Sequence, residues 1–198
     1  VFMDKINENV KSHRNTDYDI DPLFVNRWSK RAMTGQKMGL DDLMPLFEAA
    51  RWAPSSYNNQ PWRFLFALRD TAHWSTFFDL LMDGNKTWAK DASALIVIVS
   101  KKNFDHNDKY SRTHSFDTGA AWMSLALEGA NRDLVVHGMQ GFDYGKALDV
   151  LKVPDDYEVE AMAAVGYPAD SENLPDNLRE QEIPSSRKDL IEITFEGE

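Results

Sequence analysis

The seven residues Ala94-Leu-Ile-Val-Ile-Val-Ser100 constrain the fold more than any other part of the chain. A continuous β-branched run without polar alternation is expected of a central strand covered on both faces. Its strongly apolar part, Ala94 to Val99, is far shorter than the roughly 20 residues needed to span a membrane. The chain must therefore build a sheet around this segment and cover it with amphipathic elements.

Helical spacing supplies one such element. Leu43, Leu46, Phe47 and Ala50 recur at i, i+3, i+4 and i+7 within Leu40 to Ala53. With Asp42 as N-cap, Pro45 falls in the first turn, where its missing N–H costs nothing. Pro54 biases Ala53 away from the α region and marks the helix end, which puts Ser55 to Gln60 in a loop. Arg63 to Leu68 reads as a strand, followed by a helix through Ala72–Met82.

Residues 101–113 are charged and read as an exposed loop. Asp117 to Arg132 is helical and apolar on most of its circumference, which belongs in a core or a subunit interface. A short helix from Tyr144 to Lys152 and a strand from Val159 to Val165, ending at Gly166-Tyr-Pro168, follow. Residues 1–26 are polar, with a short helix and a turn at Asp19-Ile-Asp-Pro22. Residues 169–186 are polar and proline-punctuated, and Leu190 to Phe195 is β-like. This tail, about residues 169–198, packs on its own subunit or pairs with an edge strand of another, and the sequence leaves both open. Helices interspersed with strands over 1–198 give one α+β domain.

A formal charge of −10 excludes a general nucleic-acid binder, which needs a basic footprint. The absence of cysteine excludes disulfides, thiolate nucleophiles and zinc ribbons. The opening Val-Phe-Met-Asp-Lys-Ile-Asn-Glu-Asn-Val is too polar for a signal-peptide core, so a cytoplasmic protein is expected. His13, His73, His106, His114 and His137 show no metal-ligand spacing and are expected at surfaces or helix ends. No Gly-x-Gly-x-x-Gly follows a strand, and there is no Gly-x-Ser-x-Gly elbow.

Two motifs carry chemistry. Arg27-Trp-Ser-Lys-Arg31 offers two guanidiniums and a hydroxyl, which suit a phosphate but also an ordinary solvated basic patch. Pro54-Ser-Ser-Tyr-Asn-Asn-Gln-Pro-Trp62 offers hydroxyls, amides and backbone N–H groups, as a ligand wall or as a turn-rich connector. Taken together, their order and spacing resemble the FMN-dependent nitroreductase family. Its Arg-x-Ser-x-Arg/Lys motif falls on Arg27, Ser29 and Arg31. Its Pro-Ser-x-x-Asn-x-Gln-Pro-Trp loop falls on Pro54, Ser55, Ser56, Asn58, Gln60, Pro61 and Trp62. Matches continue at Asn85, at Asp117-Thr-Gly-Ala-Ala, at the glycine loop Gly138-Met-Gln-Gly-Phe-Asp143, at Val165-Gly-Tyr-Pro168 and at Ser185-Ser-Arg187. The resemblance spans about residues 22 to 190.

The resemblance implies an intertwined homodimer with a central mixed β-sheet flanked by helices and two FMN sites at the interface. By analogy Arg27, Ser29 and Arg187 hold the phosphate and ribityl chain, and Arg31 and Asn85 face the isoalloxazine edge. Pro54, Ser55, Ser56, Asn58 and Gln60 form the loop supplied by the other subunit. Gly138 belongs to the glycine loop, which sets the backbone of Gln140 and Gly141 near flavin N5. The implied activity is hydride transfer from NAD(P)H, as co-substrate, to nitroaromatic, quinone or similar small acceptors by a ping-pong mechanism. FMN carries that chemistry, with no side-chain acid or base implied. Similar folds also support dehalogenation, flavin fragmentation and amide-substrate oxidation, and a non-catalytic flavin-binding dimer is a further alternative. This sequence departs from the family at Trp88, where several members have lysine. It departs again at Gly138 and Gln140, where some have proline and glutamate. Trp88 neighbours Asn85 and is the tryptophan expected at the site, the others being core or interface residues.

Overall fold

The computed structural model describes residues 5–197. Val1 to Asp4 and Glu198 lie outside the described residues, so part of the polar opening segment is not placed. In chain order the elements are α1 (Glu8–Lys11), α2 (Pro22–Asn26), α3 (Leu40–Arg51), β1 (Trp62–Leu68), α4 (Trp74–Phe78), α5 (Asp83–Ala89), β2 (Ala94–Lys101), α6 (His114–Asn131), β3 (Val135–Met139), α7 (Tyr144–Val150), β4 (Tyr157–Gly166) and α8 (Asp176–Arg179).

β2 is the interior strand that its composition requires. The sheet order is β1-β2-β4-β3, and β2 is buried along nearly its whole length. Its two faces feed two cores. Leu95, Val97 and Val99 pack with Phe77, Leu80, Trp88 and Ala147, whereas Ala94, Ile96 and Ile98 pack with Leu43, Leu46, Leu125 and Ala126. The fold is thus a sheet between α3 and α6 on one side and α4, α5 and α7 on the other. Each buried Leu, Ile or Val side chain contributes about 1.5–3 kcal/mol relative to exposure.

Several expectations are corrected. Every pairing among the described residues is antiparallel, so the sheet is not mixed within this chain. The β-like Leu190–Phe195 segment adds no strand; it forms a 3-10 turn at Leu190–Glu192, closed by reciprocal hydrogen bonds between Asp189 and Glu192. α3 begins after Gly39, not Asp42, which places Asp41 and Asp42 in the first turn at the positive end of the helix. Pro45 therefore lies inside the helix. The helix expected over 72–82 is only α4. Met82 N–H donates to the Gly141 carbonyl at 3.0 Å, and this turns the chain into α5.

β3 was not foreseen. Val135 and Val136 are followed by His137 and Gly138, which break the apolar pattern, yet the strand pairs with β4 from Val135↔Gly166 to Met139↔Met162. Gly138 is consequently a strand residue, and the loop read from 138 starts at Gln140. No helix among the described residues is long and apolar enough to cross a membrane.

Candidate functional site

A cavity of about 580 Å³ opens between α6 and the sheet face that α6 covers. Ile98, Trp122, Met123 and Met139 give it apolar walls, while Ser29, Ser115, Thr118 and Gln140 add polar groups. Arg27 and Glu160 are its charged lining residues.

The Arg27 end lacks neutralising charge. Arg27 follows α2, and its backbone carbonyl accepts from Arg14 Nη1 at 2.9 Å. Arg14 also donates to the Val25 carbonyl at 2.6 Å and, through Nε, to the Ser185 carbonyl at 2.9 Å. Arg187 donates to the Ser185 and Ser186 carbonyls. Among the described residues no carboxylate forms an ion pair with these three arginines. Burial first, then Arg187 and Arg27, lower the Arg14 pKa to about 10. Burial and then Arg187 likewise lower that of Arg27. A site that holds cations together at this cost is built to receive an anion.

Two orphaned atoms support the same conclusion. Arg27 Nε and Thr118 Oγ1 are buried without a hydrogen-bond partner, and both residues line the cavity. Buried polar groups normally have partners, so a donor and a hydroxyl left open here call for a polar ligand.

Gly138 shapes the middle of the cavity. A Cβ there would meet Trp122 Cζ2 at 2.9 Å, so the missing side chain is what lets the indole lie against β3. At Gly141 a Cβ would stand 2.7 Å from Asn85 Nδ2. Asn85 uses that amide to donate to the Gly141 carbonyl at 3.0 Å, which fixes α5 against the loop after β3.

The other expected residues divide. Arg31 does not line the cavity; its guanidinium stands 3.9 Å from Glu182, whose Oε1 accepts from the backbone N–H groups of Arg31 and Ala32. Trp88 is a core residue, not a wall. It is 2% exposed, and its ring lies 4.5 Å from that of His137, tilted by 42°. Trp122, not Trp88, is the tryptophan that lines the cavity. His137 lies within β3 instead of at a surface or helix end, with Nδ1–H donating to the Lys30 carbonyl at 2.8 Å. Burial is the main cause that lowers its pKa below 6.5.

The Pro54–Gln60 loop stands apart from this cavity. Ser56 N–H donates to Asp117 Oδ2 at 3.0 Å, which ties the loop to the first turns of α6. Tyr57, Asn58 and Gln60 all adopt positive φ, at 51°, 53° and 48°. For Tyr57 and Gln60 that is an uncommon conformation which the loop must hold in place. Asn58 and Gln60 line a separate surface depression with Tyr57, Arg63 and Asp105. Ser55, Ser56 and Asn58 thus do not line the cavity of their own chain, and the Ser55 hydroxyl accepts from the Gln60 N–H at 3.0 Å, whereas Arg27, Ser29, Gly138 and Gln140 line it.

Sequence reading missed Arg14, Thr118 and Glu160. Arg14 had no signal: it sits in a polar segment and meets Ser185 across 171 positions of sequence. Thr118 and Glu160 lay within elements read as helix and strand, where only their facing could have marked them.

A sequence profile of the nitroreductase family matches residues 25–86, the stretch holding both motifs. A solved structure described as an oxidoreductase containing FMN is 44% identical, with a TM-score of 0.90, over 93% of this chain and 95% of that one. The chain belongs to the nitroreductase family. Two more distant relatives of this nitroreductase-family oxidoreductase differ in their named activity. A Rhodopseudomonas palustris protein named as an NADH dehydrogenase/NAD(P)H nitroreductase is 26% identical over 82% of this chain and 92% of its own. An iodotyrosine deiodinase of Thermotoga neapolitana is 27% identical over 75% of this chain and 88% of its own.

Proposed function

We propose that the chain is an FMN-dependent oxidoreductase that passes hydride from NAD(P)H to nitroaromatic, quinone or similar electron-poor acceptors in alternating half-reactions. The observation that carries this reading is the unneutralised arginine end of the cavity, with Arg27 Nε buried and unpartnered. The 44%-identical FMN-containing oxidoreductase supports the identity of the anion.

Arg27, Arg187 and Ser29 would hold the FMN phosphate, and Arg14, bonded to the carbonyls of Arg27 and Ser185, keeps these two segments in register for it. Trp122 and Met123 give the cavity an apolar wall suited to a ring system, and Gln140 marks its polar rim. FMN, when bound, exchanges two electrons with both the nicotinamide and the acceptor. The protein orients the reactants and excludes water.

The loop's place outside the cavity of its own chain supports a homodimer in which Ser55, Ser56 and Asn58 complete the partner's site. Exposed apolar groups near it, Phe116 at 80% and Tyr57 at 83%, mark surface that a second copy would cover. The likeness to a deiodinase favours dehalogenation as the second reading.

A yellow preparation with flavin absorbance, bleached by NADH or NADPH and reoxidised by a quinone or nitroaromatic, is the expected result. Bound FMN with no NAD(P)H oxidation by any such acceptor overturns the reading. Halide release from a halophenol under anaerobic conditions would select the second.

A further inference from the structure

Glu160 reaches the cavity through an irregularity in β4. Ile98 pairs with Ala161 and Val99 with Val159, so Glu160 is the extra residue of a β-bulge. Val159 and Met162 share one core although they are three residues apart. Glu160 and Ala161, adjacent in sequence, both line the cavity. Bulges re-aim side chains in this way and are common beside active sites.

One oxygen of this carboxylate is engaged. Oε1 accepts from Ser100 Oγ at 2.5 Å and from Ser115 Oγ at 2.6 Å. Ser100 Oγ lies 2.7 Å from His114 Nδ1, and His114 Nε2 lies 3.4 Å from the Tyr110 hydroxyl. A hydroxyl has one proton to give, so with Ser100 donating to Glu160 it accepts from His114 Nδ1–H, and Nε2 then accepts from Tyr110. The donors therefore run in one direction, from the exposed Tyr110 through buried His114 and Ser100 to the cavity. Oε2 has no protein donor among the described residues. The ionisable groups facing Glu160 are His114 at the start of α6, 3.6 Å away, and Arg27 elsewhere on the cavity wall.

We propose that Glu160 is a catalytic acid of this cavity, resupplied from solvent along Tyr110, His114 and Ser100. The proposal rests on the acceptor reduction put forward above. With Oε1 taken by two donors, the proton of the acid form sits on Oε2. When a quinone is reduced, NAD(P)H is the source of the hydride, which carries both electrons. The Glu160 O–H bond breaks and a new O–H bond forms on the quinone oxygen. The carboxylate then regains a proton on Oε1 from Ser100, Ser100 from His114, and His114 from Tyr110 or solvent, and a half-turn of the carboxyl group returns the protonated oxygen to the cavity. In sum, quinone, NAD(P)H and one proton give hydroquinone and NAD(P)+.

Glu160→Gln keeps the volume and an oxygen for Ser100 and Ser115 but cannot exchange the proton. Ser100→Ala leaves the carboxyl and cuts its supply. With the flavin-loaded protein and a quinone, Glu160→Gln is expected to lower kcat about 100-fold or more, within the range of general acid catalysis, and to flatten its pH profile. Ser100→Ala is expected to lower kcat less and to raise the solvent deuterium isotope effect. Flavin content and melting temperature check folding, and Glu160→Asp replaces any variant that does not fold.

A second readout needs no turnover. Without reductant, 4-nitrophenol bound beside Glu160 is expected to stay protonated at a pH where the free phenol ionises, and to show its phenolate band in Glu160→Gln. A wild-type protein inert toward every acceptor sinks the proposed function, while this spectrum still decides whether Glu160 shares a ligand proton. Phenolate in the wild type, no binding of the phenol, or a Glu160→Gln protein with unaltered pH profile overturns the proposal.

Discussion

Trp122 lies against Gly138 so closely that a Cβ on residue 138 would stand 2.9 Å from its Cζ2. The contact atom is on a ring edge, so the indole would have to shift from its place on the cavity wall. Gly138→Ala is expected to destabilise the chain by about 1–3 kcal/mol, the usual cost of overpacking. It should also weaken flavin retention. Thermal melts and the ratio of flavin to protein absorbance after gel filtration measure the two effects, and full retention with an unchanged melting temperature would refute both.

Arg27 tests the anion site. Arg27→Met keeps most of the length while it removes the charge and the buried, unpartnered Nε. A hydrogen bond to a charged group contributes about 1.5–3 kcal/mol, so FMN affinity should fall roughly tenfold to a hundredfold. Inorganic phosphate should raise the melting temperature of the apoprotein more than sodium chloride of equal ionic strength, because only a bound ligand adds linked stability. The variant should lose that difference. Equal phosphate effects on both proteins would place the anion elsewhere.

The contrast between Arg27 and Arg14 shows how far the sequence could be read. Arg27 was legible because Ser29 and Arg31 stand beside it at fixed spacing. Arg14 was not, because its partners are the carbonyls of Val25, Arg27 and Ser185, which only the folded chain assembles. The same distinction holds in the fold. β2 announced itself by seven buried residues in succession, while β3 hid because His137 and Gly138 answer to Trp88 and Trp122 and not to a strand pattern. The Leu190–Phe195 segment failed for a local reason. Asp189 and Glu192 close a turn, and Ile191, Ile193 and Phe195 stay exposed. Glu160 needed a one-residue shift in pairing, which no periodicity contains.

His137 should make stability fall in mild acid. Burial, with Arg31 adding to it, holds its folded pKa below 6.5, against the opposing hydrogen bond to the Lys30 carbonyl. The unfolded chain binds this proton near the ordinary value, and the folded chain refuses it. Stability from this group is therefore full above pH 6.5 and declines as the pH drops through and below it. Urea unfolding of the wild type and His137→Gln between about pH 5 and 8 should show a shallower acid decline in the variant. Parallel curves would mean that folding leaves the proton affinity of His137 unchanged.

Asn58 decides whether the loop serves a partner. Its φ of 53° lies in the left-handed region, which asparagine tolerates and alanine does not. Asn58→Ala therefore confounds backbone strain with the loss of the amide. Asn58→Gly removes the side chain without that strain. In a homodimer sharing its sites, Asn58→Gly should lower flavin retention several-fold and shift the melting temperature of the apoprotein little, whereas Asn58→Ala should add a destabilisation of about 1 kcal/mol. Mixed dimers make the assignment. A protomer carrying Asn58→Gly, paired with one carrying Arg27→Met, has both lesions in one shared site and leaves the other intact. Such a heterodimer should retain about half the flavin of the wild type. Retention well below half would show that Asn58 and Arg27 act on the same chain's site, and an Asn58→Gly homodimer with undiminished flavin would remove Asn58 from the site.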